Sequence, residues 1–443
     1  MGDRPIGIDL FAGVGGMSLG FEQAGFDVAA AVEIDPVHAA AHAFNFPMTA
    51  VLPRSVVGLS AAEIRLAAGI GRNKVHCVFG GPPCQGFSLI GHRVLDDPRN
   101  RLVLEFVRLV AELDASTFVF ENVKGLTLGG QRQVLDELIE AFAGAGYSVR
   151  QPWRVLDAAH YGAPQRRERL ILFGAKTGAR DPEYPPPVFR AAGRRDVKGG
   201  PFPGASVADA LDDLPDADRF PALLDGDEVA ATFGRPSDYA AEMRCVEAGA
   251  WHLGHRRKWD PSRLTSSART GHSDISRRRF AETAGGDVEP ISRFFKLRAD
   301  GVSNTLRAGT DGARGAFTSP RPIHHRFARC VTVREMARLH GFPDWFRFNA
   351  TKWHGARQIG NAVPPPLARA IAESVVAALG AKPTKRGKAF PLGDPALLRF
   401  DVTSAAAHFG VEPPNSKRDR KSGARKRKQV EIERELGARR ANG

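Results

Sequence analysis

The run Ile6-Gly-Ile-Asp-Leu-Phe-Ala-Gly-Val-Gly-Gly16 carries an apolar segment into a glycine-rich turn, and a helical pattern follows it. Comparable apolar runs recur at Val28–Ile34, Val75–Phe79, Thr117–Phe120 and Leu170–Phe173, with amphipathic stretches such as Arg101–Leu113 and Gln131–Ala143 between them. Short continuous apolar runs suit strands buried on both faces, and their alternation with helices predicts βαβ units and a mostly parallel sheet. Residues 1–175 are therefore expected to form an α/β, Rossmann-like domain.

The glycines of the turn permit positive φ and close approach to a ligand, but their spacing is FxGxG rather than the GxGxxG of dinucleotide enzymes. Glu33 follows Gly13 by twenty positions and closes the second strand, where a carboxylate can hold the two hydroxyls of a ribose. Ile34 beside it can pack on an adenine face. A lone glycine turn is more often a tight connection; with Glu33 in place, an adenosine-type cofactor becomes an equal reading. There is no Walker lysine, so the turn is not a phosphate cradle.

A later strand runs into Gly81-Pro-Pro-Cys-Gln-Gly-Phe-Ser88, a proline-stiffened loop that displays Cys84 at the carboxyl edge of the sheet, where open α/β sheets bind ligands. A thiol there can act as a nucleophile once ionised. Cys77, Cys245 and Cys330 lie in apolar surroundings and read as structural. Glu121 ends another strand on the same edge, and a carboxyl against apolar neighbours stays protonated and can donate a hydrogen bond. Arg99, Arg101 and Gln165-Arg-Arg-Glu-Arg169 bring guanidinium groups to it.

At 443 residues the chain is long enough for two domains. Residues 176–328 are loop-rich and basic, and read equally as a second, recognition-type domain or as an insertion with no role of its own. Order returns in helical patterns at Cys330–His340 and Ala362–Leu379, within a segment 329–380 that completes the first domain. Residues 381–443 read as a basic, flexible tail: Lys417–Arg440 holds eleven Lys or Arg against four acids, half of the chain's net charge of +14. That charge points to a polyanionic partner. Four scattered cysteines exclude a disulfide framework, and neither a secretory signal nor a membrane-spanning run is legible, so a reducing, cytoplasmic setting is expected.

Taken in order, these motifs resemble those of the DNA cytosine-5 methyltransferases, over nearly all of residues 5–175 and 329–375. DLFAGVGG with Glu33 resembles the family's S-adenosylmethionine site, GPPCQGFS its catalytic loop, ENV its glutamate motif and QRRER its arginine motif. Arg357-Gln-Ile-Gly-Asn-Ala-Val-Pro-Pro365 resembles the late motif that completes the cofactor site, and RCVTVREMARLHGFPD (329–344) the segment after the recognition domain. Any one string could arise by chance; six in order could hardly do so. Residues 176–328 then correspond to a target-recognition domain, in which Ser303-Asn-Thr-Leu-Arg-Ala-Gly-Thr310 resembles a Thr-Leu signature.

The resemblance implies a bacterial-type, sequence-specific DNA cytosine-5 methyltransferase using S-adenosylmethionine on double-stranded DNA. It implies no metal, monomeric action, and a cognate restriction endonuclease in the same system. Cys84 would attack carbon 6 of a flipped-out cytosine, Glu121 would assist at ring nitrogen 3, and Arg167 and Arg169 would stabilise the base and the loop. Cofactor contacts are expected from Phe11, Ala12, Gly13, Gly15, Gly16, Glu33, Ile34, Ser55, Val56, Pro83, Leu102, Asn361 and Ala362. DNA contacts are expected from Gln85, Ser88, Arg99, Gln165, Thr305, Leu306 and Arg307, with Arg256, Arg257 and Arg277–Arg279 as further candidates. Ser55 stands where the family often has an aspartate. A tRNA cytosine-5 methyltransferase of this architecture would not need so large a region before RCVTVRE, and intact Cys84, Glu121 and Arg167 argue against a non-catalytic DNA-binding regulator.

Overall fold

The alternating pattern is realised as an eight-stranded sheet. In the computed structural model, which describes residues 4–83, 101–128, 131–193, 202–310 and 321–413, five strands run parallel: β1 (Ile6–Leu10), β2 (Asp27–Val32), β3 (Ala50–Leu52), β4 (Cys77–Gly80) and β5 (Thr117–Val123). Between them lie α1 (Gly16–Gln23), α2 (Pro36–Asn45), α3 (Ala61–Ala67) and α4 (Arg101–Glu112), and α5 (Gln131–Gly144) follows β5. The last strands, β6 (Tyr147–Val149), β7 (Arg154–Asp157) and β8 (Glu168–Lys176), turn antiparallel, β8 pairing with β5, β6 and β7.

The sheet order is β3-β2-β1-β4-β5-β8-β6. The chain winds outward from β1 to β3, then crosses to the other side of β1 as β4. Open α/β sheets bind ligands at such a switch of direction, beyond the carboxyl ends of the strands. Leu10 pairs with both Val32 and Gly80, and Gly80 with Phe120, so β1, β2, β4 and β5 end level along one edge.

One face of the sheet buries the apolar stripe of α4, including Val103, Phe106 and Val110, with Phe118 stacked on Phe142 at 3.8 Å. On the other face Phe21 of α1 stacks on Phe79 of β4 at 3.6 Å. The loop-rich region contributes α6 (Val207–Leu211), α7 (Asp238–Arg244) and α8 (Asp274–Glu282) with short strands, and the chain returns through α9 (Val333–His340), α10 (Lys352–Asn361) and α11 (Pro365–Leu379). The helix expected from Cys330 starts three residues later because Thr332 caps it, accepting from the Glu335 amide while the Glu335 side chain accepts from the amide of Thr332. Residues 352–379 are apolar enough to cross a membrane, yet they are two helices, broken at Ala362–Pro364, and more than half buried in the protein.

Three arginines around α9 are fully buried. Arg338 bonds Asp213 and Asp344, Arg329 bonds Asp216 and Glu335, and Arg334 bonds backbone carbonyls. Asp213 and Asp216 belong to the loop-rich region, so these ion pairs fasten it to the returning segment. A single apolar cluster likewise joins Leu19, Phe44, Leu211, Trp251, Met336, Trp345 and Leu397. The regions expected to meet at residues 176 and 329 thus share a core.

The expected flexible tail is corrected for residues 381–413. Strand β10 (Ala389–Pro391) pairs with β9 (Arg256–Lys258), and α12 (Val402–Phe409) packs on α2 with Leu397, Leu398, Ala405 and Ala406 buried. These apolar residues are too few to shift the local composition, but they cover a face of α2 that would otherwise be wet. The basic run Lys417–Arg440 lies outside the described residues.

Candidate active site

The level strand ends open into a cleft of about 710 Å³, a volume suited to a nucleoside-sized ligand. β1 leads into it through Phe11, which takes φ 63°, and Gly15, at φ 100°, caps α1. Any side chain at Gly15 would put its Cβ 2.4 Å from the Phe46 ring, so the turn requires glycine there. The carboxylate of Glu33 is anchored on both oxygens: Oε2 accepts from the Gly13 amide at 2.7 Å and Oε1 from the Asp35 amide at 2.8 Å. Burial pushes its pKa up, against the pull of His38 and the two amides.

Beside it Ile34 is 62% exposed, an apolar side chain left uncovered by the described residues. Ser55 Oγ accepts from the Val57 amide at 3.1 Å, and Val56 is buried beneath. Pro83, Leu102, Asn361 and Ala362 complete the lining with Phe11, Ala12, Gly13 and Gly16. Of the residues expected around a cofactor, only Gly15 is off the lining; it shapes the turn instead. An anchored carboxylate, an uncovered aliphatic side chain and a glycine turn in one cleft fit an adenosine-containing group.

Several lining residues were not singled out in the sequence. Asp9 lies inside the glycine motif, where an acid in an apolar strand was the available signal. Burial raises its pKa to about 8, and Ser18 Oγ donates to it at 2.6 Å. Asn122 donates from Nδ2 to the Pro82 carbonyl at 3.2 Å, which ties the start of the proline loop to β5. Arg357, which opens the late motif, also lines the cleft, as does His38, which no motif marked.

Glu121 and Pro83 line this same cleft. Glu121 was expected among apolar neighbours; instead Arg169 donates to it from Nε at 2.7 Å, both side chains being mostly buried. Arg167 was expected against the base, but its guanidinium is 2% exposed and donates to the carbonyls of Leu306 at 3.0 Å and Gly360 at 2.8 Å. Burial lowers its pKa well below the ordinary arginine value.

Among the expected DNA contacts, Gln165 and Leu306 are fully buried, whereas Thr305 and Arg307 are exposed. Arg257 is also structural: it is buried against Glu22 at 2.8 Å and over the Trp345 ring. Arg277 is held by Asp218 at 2.6 Å. Cys84, Gln85, Ser88 and Arg99 lie outside the described residues, although the chain continues from Pro83 directly to Cys84. The other three cysteines are buried and free, and burial pushes Cys77 up to about 12 and Cys330 to about 11. None of these three is suited to act as a thiolate.

Comparison with known proteins agrees with this geometry. A family model described as C-5 cytosine-specific DNA methylase matches residues 7–377. Type II methyltransferase M.XorII of Xanthomonas oryzae pv. oryzae is 56% identical over 408 residues, 92% of this chain and 93% of that protein. Type II methyltransferase M1.HphI of Haemophilus parahaemolyticus is 33% identical over 83% of this chain and 86% of its own length. Among solved structures, a putative DNA modification methyltransferase encoded within an Escherichia coli prophage superposes with a TM-score of 0.67 at 32% identity, covering 85% of this chain and all of that one.

Proposed function

Because the chain belongs to the C-5 cytosine-specific DNA methylases, it is a DNA methyltransferase that uses S-adenosylmethionine, and we propose the route by which its own residues act. Glu33, Ile34, Ser55 and Val56 hold the adenosine end of the cofactor, and Phe11, Ala12 and Gly13 with Asn361 and Ala362 enclose the rest. Bound there, S-adenosylmethionine supplies the methyl group. Carbon 5 of cytosine is a poor nucleophile, and the protein's task is to change that.

The thiolate of Cys84 adds to carbon 6 while Glu121 holds a hydrogen bond or proton at ring nitrogen 3, which makes carbon 5 enamine-like. Arg169 fixes the Glu121 carboxyl from the side. After methylation the carbon-5 proton leaves, the bond to Cys84 breaks, and the aromatic ring is restored. Because a stacked base cannot reach these groups, the cytosine must be flipped out at a cost of a few kcal/mol. Thr305 and Arg307, exposed on the recognition loop, are the contacts to DNA. On this reading the enzyme works in the bacterial cytoplasm as a monomer and protects host DNA against a cognate restriction endonuclease.

The observation that carries this reading is the convergence of Glu33, Glu121 and Pro83, the residue bonded to Cys84, on one cleft. Incubation with plasmid DNA and tritiated S-adenosylmethionine tests it: the wild type should label DNA and Cys84→Ser should not. Undiminished labelling by that variant would sink the mechanism.

A further inference from the structure

Behind the cleft, the recognition loop and the late cofactor motif are joined by an unbroken chain of buried hydrogen bonds. The Leu306 amide donates to Gln165 Oε1 at 2.9 Å, Gln165 Nε2 meets His340 Nδ1 at 2.8 Å, and His340 Nε2 meets the Ala362 carbonyl at 3.0 Å. Gln165 and His340 are both 0% exposed. Their orientation is determined from either end. An amide N–H can only donate, so Gln165 must turn its oxygen to Leu306 and its NH₂ to His340. The Ala362 carbonyl can only accept, so the imidazole carries its proton on Nε2 and accepts at Nδ1. Burial, with Arg167 close by, holds the His340 pKa well below its ordinary value, which keeps the ring neutral in this tautomer.

Arg167 spans the same two ends by a second route, from the Leu306 carbonyl to that of Gly360. The two segments also touch directly. A Cβ built on Gly360 would lie 2.3 Å from the Ala308 nitrogen, so α10 and the loop are in backbone contact that only glycine allows. Leu306 is therefore held on its C=O by Arg167, whose other partner Gly360 lies in the motif that lines the cofactor cleft, and on its N–H by Gln165, which reaches that motif through His340.

We propose that Gln165 and His340 are positioning residues that transmit occupancy of the cofactor cleft to the recognition loop, so that cofactor and DNA bind with positive coupling. The proposal rests on the assignment of the cleft to S-adenosylmethionine and of the Thr305–Arg307 loop to DNA. Ordering Asn361 and Ala362 against a ligand orders the Ala362 carbonyl. The relay then restricts Leu306 to the position from which Thr305 and Arg307 face the duplex. Coupling is reciprocal, so DNA must tighten cofactor binding by the same factor.

The test is calorimetric titration of S-adenosylhomocysteine with and without a duplex carrying the site that bisulfite sequencing of plasmid from expressing cells identifies. The wild type should bind S-adenosylhomocysteine roughly tenfold more tightly with the duplex present, within the usual range for coupled sites. His340→Phe keeps a ring but breaks both bonds; it should bring that factor near one while leaving the DNA-free affinity within about twofold. His340→Gln, which retains one donor and one acceptor, should keep most of the coupling, with thermal melts reporting that both variants fold.

A His340→Phe variant with the wild-type factor overturns the proposal. So does one that loses affinity equally with and without DNA, the sign of a purely structural role. A wild type that binds S-adenosylhomocysteine with no effect of DNA overturns it and spares the cofactor assignment. Absence of S-adenosylhomocysteine binding altogether overturns both.

Discussion

Glu33 shows how far one side chain can be read before its surroundings are known. Its distance from the glycine turn marked it as a ribose acid, and the structure adds that both of its oxygens are already held by backbone amides. It therefore meets a ligand without first having to become ordered, and the Gly13 turn depends on it. We expect Glu33→Ala to weaken S-adenosylhomocysteine binding by roughly tenfold or more, the scale of a lost hydrogen bond to a charged group. Calorimetry on the variant, with its melting temperature alongside, separates that loss from a collapse of the turn. Arg167 is the opposite case. Its motif was legible but its task was not, because its partners Leu306 and Gly360 are 139 and 193 positions away. Gln165 was misread for the same reason: a polar residue in an arginine-rich motif looks like a DNA contact until the fold covers it.

At the scale of elements, the strands were legible because buried parallel strands are nearly pure apolar runs, whereas the arm from 389 to 409 was not. Its strand and helix bury a handful of residues against β9 and α2, and nothing local separates such an arm from a solvated tail. Helix α9 carries a different kind of information. Burial alone would raise the pKa of Glu335, but the Arg329 guanidinium outweighs it and holds the carboxyl down to about 2. A carboxyl depressed in the folded state stabilises above its unfolded value near 4.5 and loses that contribution as pH falls toward 2. His324, buried neutral with its pKa lowered to about 3, adds to the same acid limb. We expect Glu335→Gln to be less stable at pH 7 by about 3 kcal/mol, since it leaves the buried Arg329 guanidinium with Asp216 as its remaining carboxylate partner. It should also lose less further stability than the wild type between pH 6 and pH 3. Melts across that range check both signs; parallel curves would show that the pair does not govern acid unfolding.

Taken whole, the molecule has a shared core under regions that the sequence divides by composition, and a net charge of which half lies beyond that core. The two ends of the C-terminal segment should therefore fail differently when removed. Truncation after residue 413 should leave the melting temperature in place and flatten the dependence of log affinity for DNA on log salt, because phosphate contacts are lost with the basic run. Truncation after residue 388 should also lower stability by several kcal/mol, since it removes Leu397 and Leu398, whose burial against α2 is worth about 1.5–3 kcal/mol each. An unchanged salt slope in the shorter deletion would mean that the tail does not touch the duplex. The fold has a temporal consequence as well. Gly16 sits against the backbone of Val363, and α1 packs along α11, so the first turn of the cleft is roofed by a segment synthesised long after it. At about 5–20 residues per second, a nascent chain spends roughly twenty seconds to a minute with its glycine turn open on the ribosome. A fragment released early carries the nucleophile without the wall that closes the cleft, so methylating capacity arrives with the completed chain and not in proportion to its length.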